Sequence, residues 1–360
     1  MQIGIVGLPF SGKSTLFQTI TKTHLDQFQL TKSESHHAII KVPDERLDKL
    51  TEIFKPLKKT NAAIEFVDVI GLQKGDSGSS QFTGNFLASV KTNDALIQVV
   101  HLFDNESAPH PLESIDMMRD INIFETEFIL SDLSIAEKRI ENLKKQILKI
   151  HDDHLKRELA LLEKCYSILQ EEKPLRETEF LKEDFLILKN YQLLTLKPML
   201  IALNLAEDQI GETEKYFDLL VKNKIGKNTK AIAFFGQIEL EMSELDNFDA
   251  QAFMKEYGIK ESALTGIIRE AYNLLGLQSF FTVGDDECRA WTIHKGMNAQ
   301  EAAGVIHSDF YNKFIRAEVV HFNDFTSSGS FAHAKEQGHW RLEGKEYLVK
   351  DGDILTIRHN

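Results

Sequence analysis

The chain has 360 residues, of which 42% are apolar and 27% are charged, a balance typical of globular domains rather than of disordered or collagen-like chains. This length exceeds what one hydrophobic core usually organises, so we expect two or three domains. Two cysteines are too few for a disulfide framework or a four-cysteine zinc site.

Charge and hydropathy restrict the partners of the chain. Its 42 Lys and Arg against 55 Asp and Glu give a net charge of −13, which opposes non-specific binding to DNA or to anionic lipid. No apolar run approaches the roughly 18 residues of a membrane-spanning helix, and the amino end lacks the pattern of a signal peptide. We therefore expect a cytoplasmic protein without a membrane partner.

The first informative pattern lies near the amino end. Residues 2–6 are mostly apolar, residues 7–15 read GLPFSGKST, and apolar positions then recur at helical spacing. Strand, glycine-bent loop and helix in that order fit the phosphate-loop pattern G-x-x-x-x-G-K-[ST], in which successive N–H groups and the helix dipole point at a β-phosphate. An ordinary strand-to-helix turn is the alternative interpretation.

Within this loop we assign roles by side-chain chemistry. Lys13 supplies a cation for the β- and γ-phosphate oxygens, and the Ser14 hydroxyl is a magnesium ligand. The residues predicted to contact the nucleotide phosphates are Gly7, Phe10, Ser11, Gly12, Lys13, Ser14 and Thr15.

A second carboxylate follows a β-rich run at residues 63–68. Asp68 and Gly71 match the spacing D-x-x-G, in which the aspartate reaches the metal and the glycine amide approaches a γ-phosphate. Leu72 comes next, where many Ras-type GTPases place a glutamine that orients the attacking water. Because leucine cannot orient water, the predicted catalytic set of Lys13, Gly71 and Leu72 should hydrolyse nucleotide slowly. Simple packing of Leu72 against the sheet is the alternative.

The base-binding pattern follows a later strand. Short apolar runs, among them residues 199–203, suit a sheet covered by helices on both faces. This run ends in Asn204, Leu205 and Glu207, where a guanine-specific GTPase carries N-K-x-D. The aspartate of that motif accepts hydrogen bonds from guanine N1 and N2, so its replacement by Glu207 disfavours guanine.

Two further segments differ in character from the first. In residues 131–197 the apolar positions step by three and four in two halves, which predicts an antiparallel helical hairpin with a polar tip at residues 151–154. From residue 278 the pattern predicts a strand, a helix capped by Asn298 that reaches Phe314, and two strands about a turn. That order suits a small β-grasp unit.

Together these motifs resemble those of the Obg-like ATPases, also called the YchF family, within the translation-factor-related phosphate-loop NTPases. The resemblance covers essentially the whole chain. It rests on the phosphate loop and on PDERLD at 43–48, EFVDVIGLQKG at 65–75, NLAE at 204–207, RAWTI at 289–293, AAGVIHSDF at 302–310 and VKDGD at 349–353.

The resemblance implies an α/β fold: a Ras-like phosphate-loop domain with an inserted helical hairpin and a C-terminal TGS domain. The implied boundaries are residues 1–130 with 198–277, 131–197 and 278–360. It also implies a slowly hydrolysing switch that prefers ATP to GTP and that contacts the ribosome or ribosomal RNA through the hairpin and the TGS domain. A GTPase of the Obg type and a nucleotide-gated scaffold without hydrolysis are the alternatives.

The resemblance also implies residue roles. Asn204 reads the edge of the base, with Leu205 on one face and Phe103 on the other. Phe10 replaces an asparagine that can help coordinate a monovalent cation in related enzymes, so the sequence leaves activation by K⁺ open. The threonine that ligates Mg²⁺ in the first switch falls on Lys32, which makes the preceding Thr31 the candidate third metal residue beside Ser14 and Asp68.

Overall fold

The computed structural model describes residues 1–21, 35–69, 82–223, 226, 228–245, 247–257, 259 and 261–360. The chain divides into two compact units. The N-terminal unit comprises residues 1–38 and 65–267, and the C-terminal unit comprises residues 39–64 and 268–360. Residues 39–64 thus fold with the carboxyl end, whereas the sequence-based division assigns them to the nucleotide-binding domain. Within the described ranges, no helix has the length and apolar character to cross a membrane.

A six-stranded sheet in the order β2-β4-β1-β5-β6-β7 organises the N-terminal unit. β1 pairs in parallel with β4 and β5, and β6 pairs in parallel with β5 and β7. Because parallel strands end at the same edge, the residues that follow β1, β4, β5 and β6 lie near one another. The strands are β1 Gln2–Gly7, β2 His36–Lys41, β4 Ala63–Asp68, β5 Ala95–Leu102, β6 Met199–Leu205 and β7 Thr229–Phe234, with β3 Lys58–Thr60 in the other sheet.

Helices cover this sheet and form the inserted segment. Short 3₁₀ turns lie at Leu175–Glu177, Lys189–Tyr191 and Glu207–Glu212. The helices as far as residue 274 are α1 Lys13–Thr21, α2 Glu45–Phe54, α3 Gly84–Lys91, α4 Met117–Ile147, α5 Asp153–Gln170, α6 Lys182–Leu188, α7 Thr213–Lys222, α8 Gly236–Glu244, α9 Asn247–Glu256 and α10 Ala263–Leu274.

The long helix α4 joins the sheet to the inserted segment. It begins at Met117, 131 − 117 = 14 residues before the predicted start of the insert, and the Asp116 side chain caps it by accepting from Arg119 N. Phe124 and Phe128 on its first half pack in the core of the sheet. Its second half packs against α5 through a separate apolar cluster. One continuous helix therefore extends from the sheet into the inserted segment.

The C-terminal unit contains a mixed six-stranded sheet in the order β11-β10-β12-β8-β9-β3. Its other elements are β8 Leu277–Thr282, β9 Glu287–His294, α11 Ala299–Ile306, α12 Ser308–Asn312, β10 Phe314–His321, α13 Phe322–Ser328, α14 Phe331–Glu336, β11 Arg341–Glu343 and β12 Asp353–His359. The helix expected to reach Phe314 ends at Ile306, because His307 turns to β conformation and its ring accepts from Asp309 N to cap α12. Phe314 instead opens β10.

Residues 39–64 are built into the C-terminal unit by pairing and by charge. β3 pairs in parallel with β9, with Lys58 opposite Glu287. The Arg46 guanidinium donates to both carboxylate oxygens of Asp351, over 2.8 and 3.2 Å, and also to Asp44. Two sequence motifs that are 305 residues apart, at 43–48 and 349–353, are thereby brought together.

Candidate functional site

The loop between β1 and α1 has the backbone geometry that an anion cradle requires. Gly7 ends β1, and α1 begins at Lys13, so the loop leads directly into a helix N-terminus. Gly12 has a φ of +94°, and a Cβ built there would lie 2.2 Å from Asn204 Nδ2. Only glycine fits this position, because a side chain would be strained and would collide with the carboxamide.

Phe10 occupies an unusual conformation in this loop. Its φ is +63°, in the left-handed region that bulky residues avoid. The side chain is half exposed and lines the cavity described below. A strained aromatic residue at the mouth of a cavity is a feature that functional sites retain.

Lys13 is held inside the loop. Its Nζ donates to the carbonyl oxygen of Leu8 over 2.8 Å, and the side chain is 9% exposed. Burial lowers the pKa of Lys13 to about 8, and the nearby Asp68 carboxylate partly opposes this shift. Removing water from a cation costs free energy that an incoming anion recovers, so the site is electrostatically prepared for phosphate.

Two oxygen ligands lie beside this lysine. Ser14 Oγ donates to Asp68 Oδ2 over 3.5 Å, across the edge where β1 and β4 end. Burial raises the pKa of Asp68, while Lys13 and His36 act against that rise. A hydroxyl and a buried carboxylate are hard oxygen donors, and this donor set fits Mg²⁺. Within the described ranges, no cluster of three or more His, Cys, Asp or Glu forms a separate metal site.

A cavity of about 650 Å³ opens at this edge of the sheet. It brings together most of the predicted site residues from the phosphate loop and from the ends of β5 and β6. Those that line it are Phe10, Gly12, Lys13, Ser14, Thr15, Phe103, Asn204, Leu205 and Glu207. Gly7 and Ser11 instead form the interior of the loop, where Ser11 is fully buried.

The carboxamide of Asn204 connects the two halves of this cavity. Its Nδ2 donates to the carbonyl oxygen of Ser11 over 3.0 Å, and its Oδ1 accepts from Gly236 N over 3.0 Å. The side chain is 4% exposed. Asn204 therefore connects the phosphate loop to the start of α8. The sequence predicted only that this residue reads the edge of a base and did not predict this structural role.

Comparison with known proteins identifies relatives across the whole length. A family model described as "50S ribosome-binding GTPase" matches residues 2–164, and one named YchF-GTPase_C, described as "Protein of unknown function (DUF933)", matches residues 277–360. A Bacillus subtilis (strain 168) protein named "Ribosome-binding ATPase YchF" is 40% identical over 361 residues, which cover 99% of this chain and 98% of that protein. A Haemophilus influenzae protein of the same name is 39% identical over 359 residues, with the same coverage.

A solved structure agrees with this match. The Schizosaccharomyces pombe YchF GTPase has a TM-score of 0.87 and 32% identity, and the alignment covers 99% of this chain and 97% of that one. The chain belongs to the YchF family. The resemblance inferred from the motifs and the phosphate-loop α/β fold class are thereby confirmed.

The cavity of this YchF family member has further walls that the motifs did not assign as site residues. They follow β5, β6 and β7, whose carboxyl ends meet the same edge as the phosphate loop. These lining residues are Asp104, Asn105, Ala108, Ala206, Gly236 and Gln237. The order of strands in the sheet was the signal that could have identified them, because it places the residues after each parallel strand at this edge.

Four positions that the YchF resemblance singled out lie outside the described residues. They are the switch positions Thr31 and Lys32 and the predicted catalytic residues Gly71 and Leu72. Their roles stay predictions.

Proposed function

We propose that this YchF family member binds ATP with Mg²⁺ in the 650 Å³ cavity and hydrolyses it slowly, as a nucleotide-dependent switch. One observation carries the proposal: a phosphate loop, an N-x-x-E segment and the aromatic ring of Phe103 line the same cavity. Leu205 and Glu207 replace the lysine and aspartate that read guanine. The relatives named ATPase support adenine as the base.

Each group in the cavity has a chemical task in this proposal. Backbone N–H groups at the start of α1 and the Lys13 ammonium neutralise the phosphates. Ser14 and Asp68 hold Mg²⁺, which when bound neutralises charge on the β- and γ-phosphate oxygens. The side chain of Leu72 has no hydrogen-bonding group to orient water, so the proposed hydrolysis is slow in the isolated protein.

We further propose that the two remaining parts of the chain respond to the nucleotide and present a surface to the ribosome. The support is the name of the relatives, "Ribosome-binding ATPase YchF". In this proposal residues 131–197 and the TGS-like residues 278–360 contact ribosomal RNA or protein. Sedimentation with purified ribosomes, in the presence of ATP or of ADP, tests it. Equal co-sedimentation in both nucleotides would contradict a nucleotide-dependent switch.

The choice of base is tested by direct binding. We expect a fluorescent ATP analogue to bind more tightly than the matching GTP analogue, with Lys13→Ala as the variant that binds neither.

Hydrolysis is tested separately. Release of phosphate from ATP under single-turnover conditions, above the uncatalysed background, excludes a scaffold without hydrolysis. Because the side chain of Phe10 offers no oxygen ligand, we expect equal rates of hydrolysis in K⁺ and in Na⁺. A K⁺-dependent rate would assign that ion a different site.

A GTPase is the second candidate. The Schizosaccharomyces pombe relative is named a GTPase, and Gln237 lines the cavity and donates to Glu241 over 2.8 Å, which leaves its carbonyl oxygen available as an acceptor for guanine. Under this alternative GTP binds more tightly than ATP, and Gln237→Ala removes that preference. Weaker GTP binding in the unmodified protein would eliminate it.

A further inference from the structure

The buried side chain of His101 contacts both the ring and the backbone of Phe103, the aromatic residue that lines the cavity. His101 lies on β5, opposite Asn204 of β6, and is 1% exposed. Its ring stacks on Phe103, with ring centroids 3.9 Å apart and planes inclined by 21°. Phe103 lines the cavity, so His101 supports the cavity wall from behind.

A hydrogen bond adds to this stacking. His101 Nε2 lies 2.8 Å from the carbonyl oxygen of Phe103. Because a carbonyl only accepts, Nε2 carries the proton and Nδ1 carries none. Nδ1 is buried and has no partner in the part of the chain that the structure describes. Burial also lowers the pKa of His101, which favours this neutral form. One side chain thus fixes both the ring and the main chain of Phe103.

A second histidine supports the first. The His110 ring lies 5.0 Å from the His101 ring, centroid to centroid. His110 Nδ1 accepts from Leu112 N over 3.2 Å, so its Nε2 is the donor to Asp120 Oδ2 over 2.7 Å. Asp120 Oδ1 accepts from Arg119 Nε over 3.0 Å, in the first turn of α4. The support behind Phe103 is therefore anchored on a long helix.

We propose that His101 is a positioning residue that holds Phe103 in place to stack on the base of the nucleotide, with His110 as its support. The inference rests on the proposed function and names a specificity element of the same cavity. A phenyl side chain at the end of a strand can adopt several rotamers, and stacking on a base requires one of them. Fixing that rotamer before binding reduces the entropic cost of association. His101 has no part in holding the phosphates.

The test separates the base from the phosphates. Mg²⁺·ATP and Mg²⁺·tripolyphosphate, which has no base, compete for each protein against a fluorescent ATP analogue. The variants are His101→Ala, His101→Phe and His101→Leu, and the exposed His333→Ala is the matched control. We expect His101→Ala to weaken ATP binding about tenfold and to leave tripolyphosphate binding within about twofold, because stacking energies are of this size. His101→Phe restores the stack, so its ATP affinity should return to within about threefold of the unmodified protein.

Two results would contradict the role of His101. Equal weakening of ATP and tripolyphosphate, or no change in either, would overturn the proposal, since the first indicates general damage and the second no role. Should His101→Ala fail to fold, His101→Leu keeps the buried volume without the aromatic ring or the donor, and the same tenfold selective loss is expected of it. If the proposed function itself is wrong, the unmodified protein does not bind ATP, and this result is distinct from any effect of the His101 variants.

Discussion

Ser11 carries a fully buried hydroxyl inside the phosphate loop, and its Oγ lacks a hydrogen-bond partner among the described residues. A buried hydroxyl without a partner costs about 1–3 kcal/mol. We therefore expect Ser11→Ala to raise the free energy of unfolding by about 1 kcal/mol, measured by urea denaturation with circular dichroism. Ser279→Ala is the control. Its Oγ is buried but bonded to Tyr272 Oη over 2.9 Å, so that variant should lose stability.

Lys13 stabilises the nucleotide complex at a cost to the protein without nucleotide. Burial lowers its pKa from 10.5 to about 8, so the unfolded chain binds more protons between these two values. The free energy of unfolding of the unmodified protein therefore rises as the pH increases from about 8 to 10.5, because the charged form of Lys13 is disfavoured only in the folded state. We expect Lys13→Met to gain on the order of 1–3 kcal/mol at pH 7, a gain that shrinks above pH 8.

The same variant should bind ATP at least tenfold more weakly, because the phosphates lose their buried cation. Urea denaturation at several pH values and nucleotide binding measure the two effects. Lys173→Met is the matched control, because the side chain of Lys173 is 68% exposed. This variant should change the free energy of unfolding by less than about 0.5 kcal/mol. A loss of stability in Lys13→Met at pH 7 would contradict the assigned burial cost.

At the scale of elements, the join between the phosphate loop and β6 depends on Gly12. A Cβ there meets Asn204 Nδ2 at 2.2 Å, at a φ of +94°. We expect Gly12→Ala to lower the free energy of unfolding by about 2 kcal/mol or more and to weaken nucleotide binding. Gly84→Ala is the control, since no atom of the residues that the structure describes lies within 4 Å of its built Cβ and alanine favours the helix α3. Equal effects of the two would contradict the close contact.

Asp132 joins α4 to the end of the inserted segment. Its carboxylate accepts from Leu194 N over 2.9 Å and from Thr195 N and Oγ1, each over 2.7 Å. An asparagine offers one oxygen to these three donors, so Asp132→Asn should cost about 1–3 kcal/mol, measured by urea denaturation at pH 7. The exposed Asp153→Asn is the control.

The pH dependence of Asp132 has a definite sign. Burial raises its pKa from 3.8 to about 6, so the folded protein binds more protons between these values and loses stability as pH rises through them. The advantage of the unmodified protein over Asp132→Asn should therefore decrease from pH 4 to pH 6 and stay level above. An advantage that grows over this range would contradict a raised pKa.

The sequence predicted elements best where a pattern is strictly local. The phosphate loop was located between its strand and helix because G-x-x-x-x-G-K-[ST] encodes backbone geometry directly. The beginning of α4 at Met117 was missed, because its first turns pack into the sheet and so continue the helix beyond the heptad pattern. The second role of Asn204 depends on contacts with segments 193 and 32 residues away in the chain, which no local pattern contains. The contact of His101 with Phe103 joins residues only two positions apart, but the stacked arrangement of their rings is not encoded in any motif.

At the scale of the whole molecule, Arg46 and Asp351 hold residues 39–64 in the C-terminal unit. Their side chains are 30% and 49% exposed, so solvent screens the pair. We expect a double-mutant cycle with Arg46→Met and Asp351→Asn to give a coupling free energy of about 0.5–1 kcal/mol. Both tryptophans of the chain, Trp291 and Trp340, belong to this unit, so their fluorescence follows its unfolding.

The control cycle uses Lys173 and Glu171, whose side chains are 68% and 60% exposed. We expect no measurable coupling free energy between these two residues, because solvent screens them more strongly. A coupling of zero between Arg46 and Asp351 would show that β3 pairing and apolar packing hold the segment without them. The sequence did not reveal this attachment, because the two charges are 305 residues apart and each looks like an ordinary surface group.

The position of residues 39–64 also has a consequence for how the protein is made. Lys58 pairs with Glu287, which is synthesised 287 − 58 = 229 residues later. At about 5–20 residues per second, that interval is roughly ten to fifty seconds. Leu47 and Leu50, which are fully buried in the finished protein, emerge long before β9 exists to cover them. We expect the nascent chain to expose this apolar stretch throughout that delay, and a chaperone that shields such stretches to raise the yield of folded protein.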